Sequence, residues 1–276
     1  MTALKVGAVI YDPKVTVIWG MIADYCKEAG APIEPAFFKD YKLQVDALAA
    51  RQIDVAWNSP LAHLDAHLRF GGSEKFGCMR DTDQDLHTVL VVRADSGIET
   101  LDDLKGRRVG VGAIDSPQAR LIPLRFLHEA GLDAARDFTE VRFDVGVGLH
   151  GDHVGGEKDA MLAMVAGEVD ATFALEANFR AWLADGTVDQ NAVRVLATTP
   201  AFDHCLFTAH DQVDDEALGA FTQVLLDMDY ANPAHKDIMD MEGLTQWVPG
   251  RTSGYEQITA ANELLGFLDQ FNAGRE

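Results

Sequence analysis

The string HGDHVGGE, residues 150–157, sets two imidazoles and two carboxylates among glycines directly ahead of an amphipathic stretch. Those side chains suit three uses. One is a divalent ion such as zinc, iron or manganese, held by His150, His153 and Asp152 or Glu157. The second is general acid–base chemistry by His150 or His153 with Glu157 as partner. The third is plain: histidines hydrogen-bonded to an ordinary ligand, or a polar loop whose Glu157 caps the next helix. The spacing matches no strong metal signature.

A second string, Asp203-His204-Cys205, invites a nucleophile reading with His204 and Cys205 as its chemistry. In an extended strand, however, Asp203 and Cys205 face one side and His204 the other, and Cys205 reads as a small buried residue. His63 and His67 are four apart on an expected helix and could share an ion on one face, although packing accounts for them as well.

Other residues are suited to holding a ligand rather than transforming it. The stretch 110–132, GVGAIDSPQARLIPLRFLHEAGL, carries a glycine-spaced apolar strand into Ser116-Pro117, a good N-cap and first helical residue. Backbone N–H groups at such a helix start face whatever binds beyond the strand end, and Gln118 belongs to the same turn. Tyr11, Asp12 and Lys14 follow the first expected strand, and Asn58 and Ser59 follow the third. Glu176 and Asn178 end a later strand and suit a positively charged part of a ligand. Arg80, in RDTDQD, is a candidate counter-ion. Arg251, in GRTSGY, either closes over a ligand or caps the last helices.

Elements that would position these residues are read from periodicity. LKVGAVI is a buried strand, and the helix after YDPK places Val15, Ile18, Trp19, Ile22 and Cys26 on one face. IEPAFF, YKLQVDALAARQ and IDVAWNS continue as strand, helix and strand. Repeated β-α-β implies a mainly parallel sheet whose loops gather at the carboxyl ends of the strands. A second such set runs from about residue 95 to 198, and mainly helices fill the chain from about Asp214. The expected layout is a discontinuous lobe of residues 1–92 plus 200–276, an inserted lobe of 93–199, crossing strands near 88–93 and 194–200 as the hinge, and a ligand cleft between the lobes.

With 44 acidic against 23 basic residues and a net charge of −21, the 276-residue chain is a poor partner for nucleic acid or an anionic membrane. No run is apolar and long enough for direct membrane insertion, and no secretory leader precedes the first strand, so as written the expectation is a cytoplasmic protein, exported only if a leader has been removed. Three cysteines without CxxC spacing fit a reducing compartment.

The run from VVRADSGIETLDDLKGRRVGVGAIDSPQARLIPLRFLHEAGL to FTEVRF, the later AGEVDATF and the earlier IDVAWNSPLAH resemble the phosphonate and phosphate binding proteins of ABC importers over about residues 4–200. The resemblance implies the type II periplasmic binding protein fold: two α/β lobes, each a mixed, mainly parallel sheet flanked by helices, closing on a small ligand. It also implies a transporter permease as partner if the chain is exported. Two departures stand out. The family's turn is rich in serine and threonine, whereas here it reads Asp115-Ser116-Pro117-Gln118-Ala119, which favours a carboxylate, a singly charged group or a polar uncharged one over a dianion. The loop 150–157 is also longer and richer in donors than the resemblance implies.

Two functions follow as expectations. One is a solute-binding protein or cytoplasmic sensor for a small anionic phosphonate-, phosphate- or carboxylate-like molecule, contacted by Tyr11, Asn58, Ser59, Ser116, Gln118, His150, His153, Glu176 and Asn178. The alternative is a cytoplasmic decarboxylase, lyase or hydrolase of a small acid on the same fold, using His150, His153, Glu157, His204 and Cys205, with no cofactor required beyond a divalent metal in one version.

Overall fold

The computed structural model describes residues 2–151 and 155–273. The chain divides into two compact units, residues 1–84 with 203–255 and residues 85–202 with 256–276.

In the first unit, Leu4–Val9 runs parallel to Ile33–Phe38 on one side and to Val55–Asn58 on the other. Leu206–Ala209 adds antiparallel to Val55–Asn58 and in turn pairs with Lys75–Phe76, giving a mixed five-stranded sheet. Because the three parallel strands point the same way, the loops after Val9, Phe38 and Asn58 emerge at one edge. Helix Lys14–Glu28 buries Val15, Ile18, Trp19, Ile22 and Cys26, the face expected from periodicity. These side chains join Phe207, Phe221 and Trp247 in the core beside the sheet. All three cysteines are buried and outside any disulfide, and burial pushes the Cys26 thiol up to about 12 and raises Cys78 as well, so neither of these two is ready to react.

The second unit is built around strands ordered Val193–Thr198, Thr88–Arg93, Ala171–Leu175, Arg108–Val111 and Thr139–Arg142. The last three are mutually parallel, and Thr88–Arg93 is antiparallel to both of its neighbours. The carboxyl ends of the parallel three therefore bring residues 112–118, 143–151 and 176–178 to one edge. Leu90, Val92, Val109, Val111 and Phe173 fill one face of this sheet, and Val89, Val91, Met161 and Met164 the other.

Two boundaries differ from the sequence expectation. The strands expected as a hinge, Thr88–Arg93 and Val193–Thr198, are hydrogen-bonded partners inside the second sheet, and the chain passes between units at 84/85 and 202/203. Helices Glu256–Leu265 and Phe267–Ala273, expected with the first lobe, belong to the second unit: the first of them packs on helix Ile122–Glu129, and Leu265 packs against that unit's core. Local amphipathicity says that a helix needs an apolar neighbour and cannot say which one.

Ile258, 1% exposed on that helix, tests the assignment. Ile258→Ala is expected to cost about 2–5 kcal/mol, and faster hydrogen exchange should appear in residues 122–129 rather than in strand Leu4–Val9.

Candidate ligand site

The turn after strand Arg108–Val111 is built differently from a plain helix start. Ser116 caps it, with its Oγ accepting from Ala119 N at 3.1 Å, and Pro117 occupies the first position as expected. The first turn, Pro117–Leu121, is nevertheless a wide π-turn before the α-helix Ile122–Glu129 begins. Pro123 supplies the reason: it has no N–H for the Ala119 carbonyl four residues back, and its ring crowds that carbonyl. Ala119 O is bonded instead by Gly112 N at 3.1 Å. A Cβ on Gly112 would lie 2.7 Å from that of Ala119, so this approach of strand end to turn needs glycine.

The expected cradle of free N–H groups is largely self-satisfied. Ser116 N goes to Ala113 O, Ala119 N to Ser116 Oγ, and both Arg120 N and Leu121 N to Ser116 O. What the turn presents is side chains. Asp115 is fully buried, with Oδ2 accepting from Gly148 N at 2.6 Å and Oδ1 without a partner among the described residues. Gln118, 3% exposed, donates from Nε2 to Gly151 O at 3.1 Å, and its Oε1 has no partner among the described residues. Gly151 has a φ of +66°, and a Cβ there would stand 2.4 Å from Ser116 Oγ, so loop and turn are fitted to each other. His150 is buried on the same loop with a left-handed φ of +55°. Asp152 and His153 lie outside the described residues.

Glu157 sits in the first turn of helix Gly155–Ala166. Its Oε1 accepts from Leu175 N at 2.5 Å and from Asn178 Nδ2 at 3.2 Å, and its buried Oε2 has no partner among the described residues. Burial pushes its carboxyl up to about 7, outweighing the two hydrogen bonds that favour ionisation. Asn178, expected to face a cationic ligand group, thus donates to Glu157. Glu176, with the same expected role, accepts from Arg180 one helical turn away at 2.5 Å.

In the first unit, Asn58 ends its strand fully buried. Its Oδ1 accepts from Gln44 Nε2 at 2.8 Å, which turns the unpartnered Nδ2 away as a donor. Ser59 caps helix Pro60–Phe70 through Ala62 N. Tyr11 packs partly buried against the core, and Asp12 closes a turn on Lys14 N.

The remaining candidates form buried electrostatics. Arg80 is not a spare counter-ion: it grips Asp83 with two bonds of 2.6 and 3.0 Å, donates to Glu242 O and lies over the Trp57 ring at 5.3 Å. Arg251 grips Asp203 in the same two-pronged way at 2.6 and 2.7 Å. His204 Nδ1 lies 3.2 Å from Cys205 Sγ and 3.6 Å from Asp83 Oδ1. The expected alternation of 203–205 fails because the strand starts only at Leu206. Cys205 Sγ and Asp83 Oδ1 both approach the same ring nitrogen, so these two groups do not stand on opposite sides of the imidazole as the thiol and carboxylate of a relay do. Asp83, His204 and Cys205 do place one ligand-type atom each within 4.8 Å of one another, but both Asp83 oxygens are engaged by a buried guanidinium, which opposes a cation there. His63 and His67 part company: His63 bonds Thr208 Oγ1 and packs on Tyr255, while His67 pairs with Glu74. Burial brings His63 down to about 4.

These elements match a known family. The sequence profile for the periplasmic phosphonate substrate-binding protein of ABC transporters aligns with residues 10–255. The chain belongs to that family. Among curated relatives, the probable ABC transporter phosphite binding protein PhnD1 of Prochlorococcus marinus is 25% identical over 233 residues, 79% of this chain and 74% of that protein. The structure of Prochlorococcus PhnD1 in complex with methylphosphonate superposes with a TM-score of 0.70 at 19% identity, covering 96% of this chain and 98% of that one. The periplasmic aliphatic sulphonate binding protein SsuA of Escherichia coli gives 0.58 at 17%, covering 99% and 87%. The fold is the type II periplasmic binding protein fold, as the sequence motifs imply, and the solute-binding role belongs to the family. No helix among the described residues is long and apolar enough to cross a membrane.

Two substitutions test this electrostatic account. Glu157 binds a proton in the folded chain up to about pH 7, whereas an ordinary glutamate releases it near 4.5. Between those values the folded state holds the extra proton, so stability falls as pH rises and levels off above about 7. Glu157→Gln should therefore match the parent at pH 5 and exceed it in urea denaturation at pH 8. Arg80→Ala leaves Asp83 buried and unpaired and should cost about 3–5 kcal/mol in the same assay.

Proposed function

We propose that this chain is the solute receptor of an ABC importer, working outside the cytoplasmic membrane with a permease, and that its solute is a small oxyacid of phosphorus or a close analogue. The observation that carries the reading is a set of buried polar atoms in the second unit without partners among the described residues, Asp115 Oδ1, Gln118 Oε1 and Glu157 Oε2; in the first unit Asn58 Nδ2 is left in the same way at the end of its strand. A buried unsatisfied polar group costs about 1–3 kcal/mol, which a fold tolerates where a ligand supplies the missing partner. Family membership supports an importer's receptor, and phosphite and methylphosphonate appear as the ligands named for the PhnD1 relative. The enzyme reading has no comparable support. Cys205 and Asp83 share one ring nitrogen of His204, and Glu157 is committed to Leu175 and Asn178 through one oxygen.

Thermal unfolding with phosphite, methylphosphonate, phosphate and acetate checks the reading. A true ligand at a hundred times its Kd adds about 2.7 kcal/mol, which should raise Tm by several degrees; a panel that leaves Tm unmoved removes phosphorus oxyacids as the solute.

A further inference from the structure

Gln44 is an amide set on a buried helix face. Helix Tyr41–Ala49 turns Tyr41, Gln44, Val45, Ala47 and Leu48 inward, and Gln44 has no solvent exposure. It lies against strand Leu4–Val9 at Gly7, where a Cβ would stand 3.3 Å from Gln44 Cγ, so its stem is packed in place. Its Nε2 donates twice, to Trp57 O and to Asn58 Oδ1, each at 2.8 Å.

Those two bonds set a direction. The Trp57 carbonyl can only accept, so the end of the Gln44 amide that faces it is the nitrogen. Asn58 must then meet that nitrogen with its oxygen, because the other orientation brings two N–H donors face to face. Asn58 Nδ2 is thus the atom left over at the carboxyl end of its strand, buried and without a partner among the described residues, and Gln44 Oε1 is left over as well. Stability alone does not account for a pair with one buried atom unmet on each member, since apolar side chains of the same shape serve a core as well or better.

We infer that Gln44 is a positioning residue: anchored on the Trp57 carbonyl, it holds Asn58 so that the amide offers the solute an uncharged N–H donor and not an oxygen. The inference rests on the phosphorus-oxyacid reading above and requires no contact between Gln44 and the solute.

Titration calorimetry of the whole chain with methylphosphonate, arranged as a double-mutant cycle, tests it. Asn58→Ala removes the donor and should weaken binding at least about tenfold, the loss that fits a hydrogen bond to a charged group. Gln44→Met frees the Asn58 amide to turn over; it should weaken binding about three- to tenfold by itself and less than about twofold when added to Asn58→Ala, because its effect passes through Asn58. Gln44→Glu keeps the shape, but the oxygen it sets between Trp57 O and Asn58 carries at most one hydrogen, which goes to the carbonyl. Asn58 then turns Nδ2 inward and Oδ1 to the solute, and binding should weaken at least as much as in Asn58→Ala; this variant serves if the others do not fold. Parent-like affinity in Asn58→Ala or in Gln44→Glu overturns the inference and leaves the receptor reading intact. A Gln44→Met loss of the same size in both backgrounds also overturns it, since Gln44 then acts on the fold at large. If methylphosphonate, phosphite and phosphate all fail to bind the parent, the phosphorus-oxyacid reading falls and this inference falls with it.

Discussion

The second unit's candidate site depends on one packing contact between a turn and a loop. Gly148 N to Asp115 Oδ2 and Gln118 Nε2 to Gly151 O tie the start of helix Pro117–Glu129 to the segment after strand Thr139–Arg142. Backbone groups on the loop take up one polar atom of each side chain, and the other atom of each has no partner among the described residues. The contact closes only because Gly112 and Gly151 present no Cβ where Ala119 and Ser116 already stand. It also requires the wide turn that Pro123 imposes, since that turn frees Ala119 O for Gly112 N. Strand end, helix start and loop are therefore mutually fixed, and such preorganisation lowers the cost of ordering a site when a ligand arrives.

The first unit handles its buried charge differently. Arg80 with Asp83 is a two-pronged pair with little solvent access and gains an aromatic face from Trp57, while Arg251, 34% exposed, grips a fully buried Asp203 in the same way. Buried pairs of this type add little net stability over apolar substitutes but are costly to break, so they fix geometry more than they add energy. Tyr255 donates to His204 O, and Asp203 N bonds Gly254 O, tying the segment before strand Leu206–Ala209 to the turn at 251–255. The residues that looked like a nucleophile and its helpers serve here to hold the end of a strand.

Much of this was legible before any coordinates. The buried face of helix Lys14–Glu28 follows from 3.6-residue spacing, the cap at Ser116 from a serine ahead of proline, and the parallel strand ends from repeated β-α-β. The roles of Glu157 and Asn178 were not legible, because each is decided by a partner distant in sequence; Arg80 pairs with Asp83 three residues on, but the contacts that seat it in the core, Glu242 O and the Trp57 ring, are far away in sequence. The π-turn had a local signal in Pro123, but a proline six residues past an ideal first helical proline reads equally well as a kink.

The sequence by itself determined the family, the class of fold, the elements and the unusual carboxylate in the turn at Asp115, since periodicity, capping and motif order are properties of short stretches. Only the tertiary structure decided that the helix start spends its own N–H groups, that the terminal helices join the second unit, and that Asp115 and Gln118 are left as acceptors. Hydrogen-bond satisfaction is the physical reason: whether a polar atom is spent or spare depends on what the rest of the chain brings within about 3 Å of it.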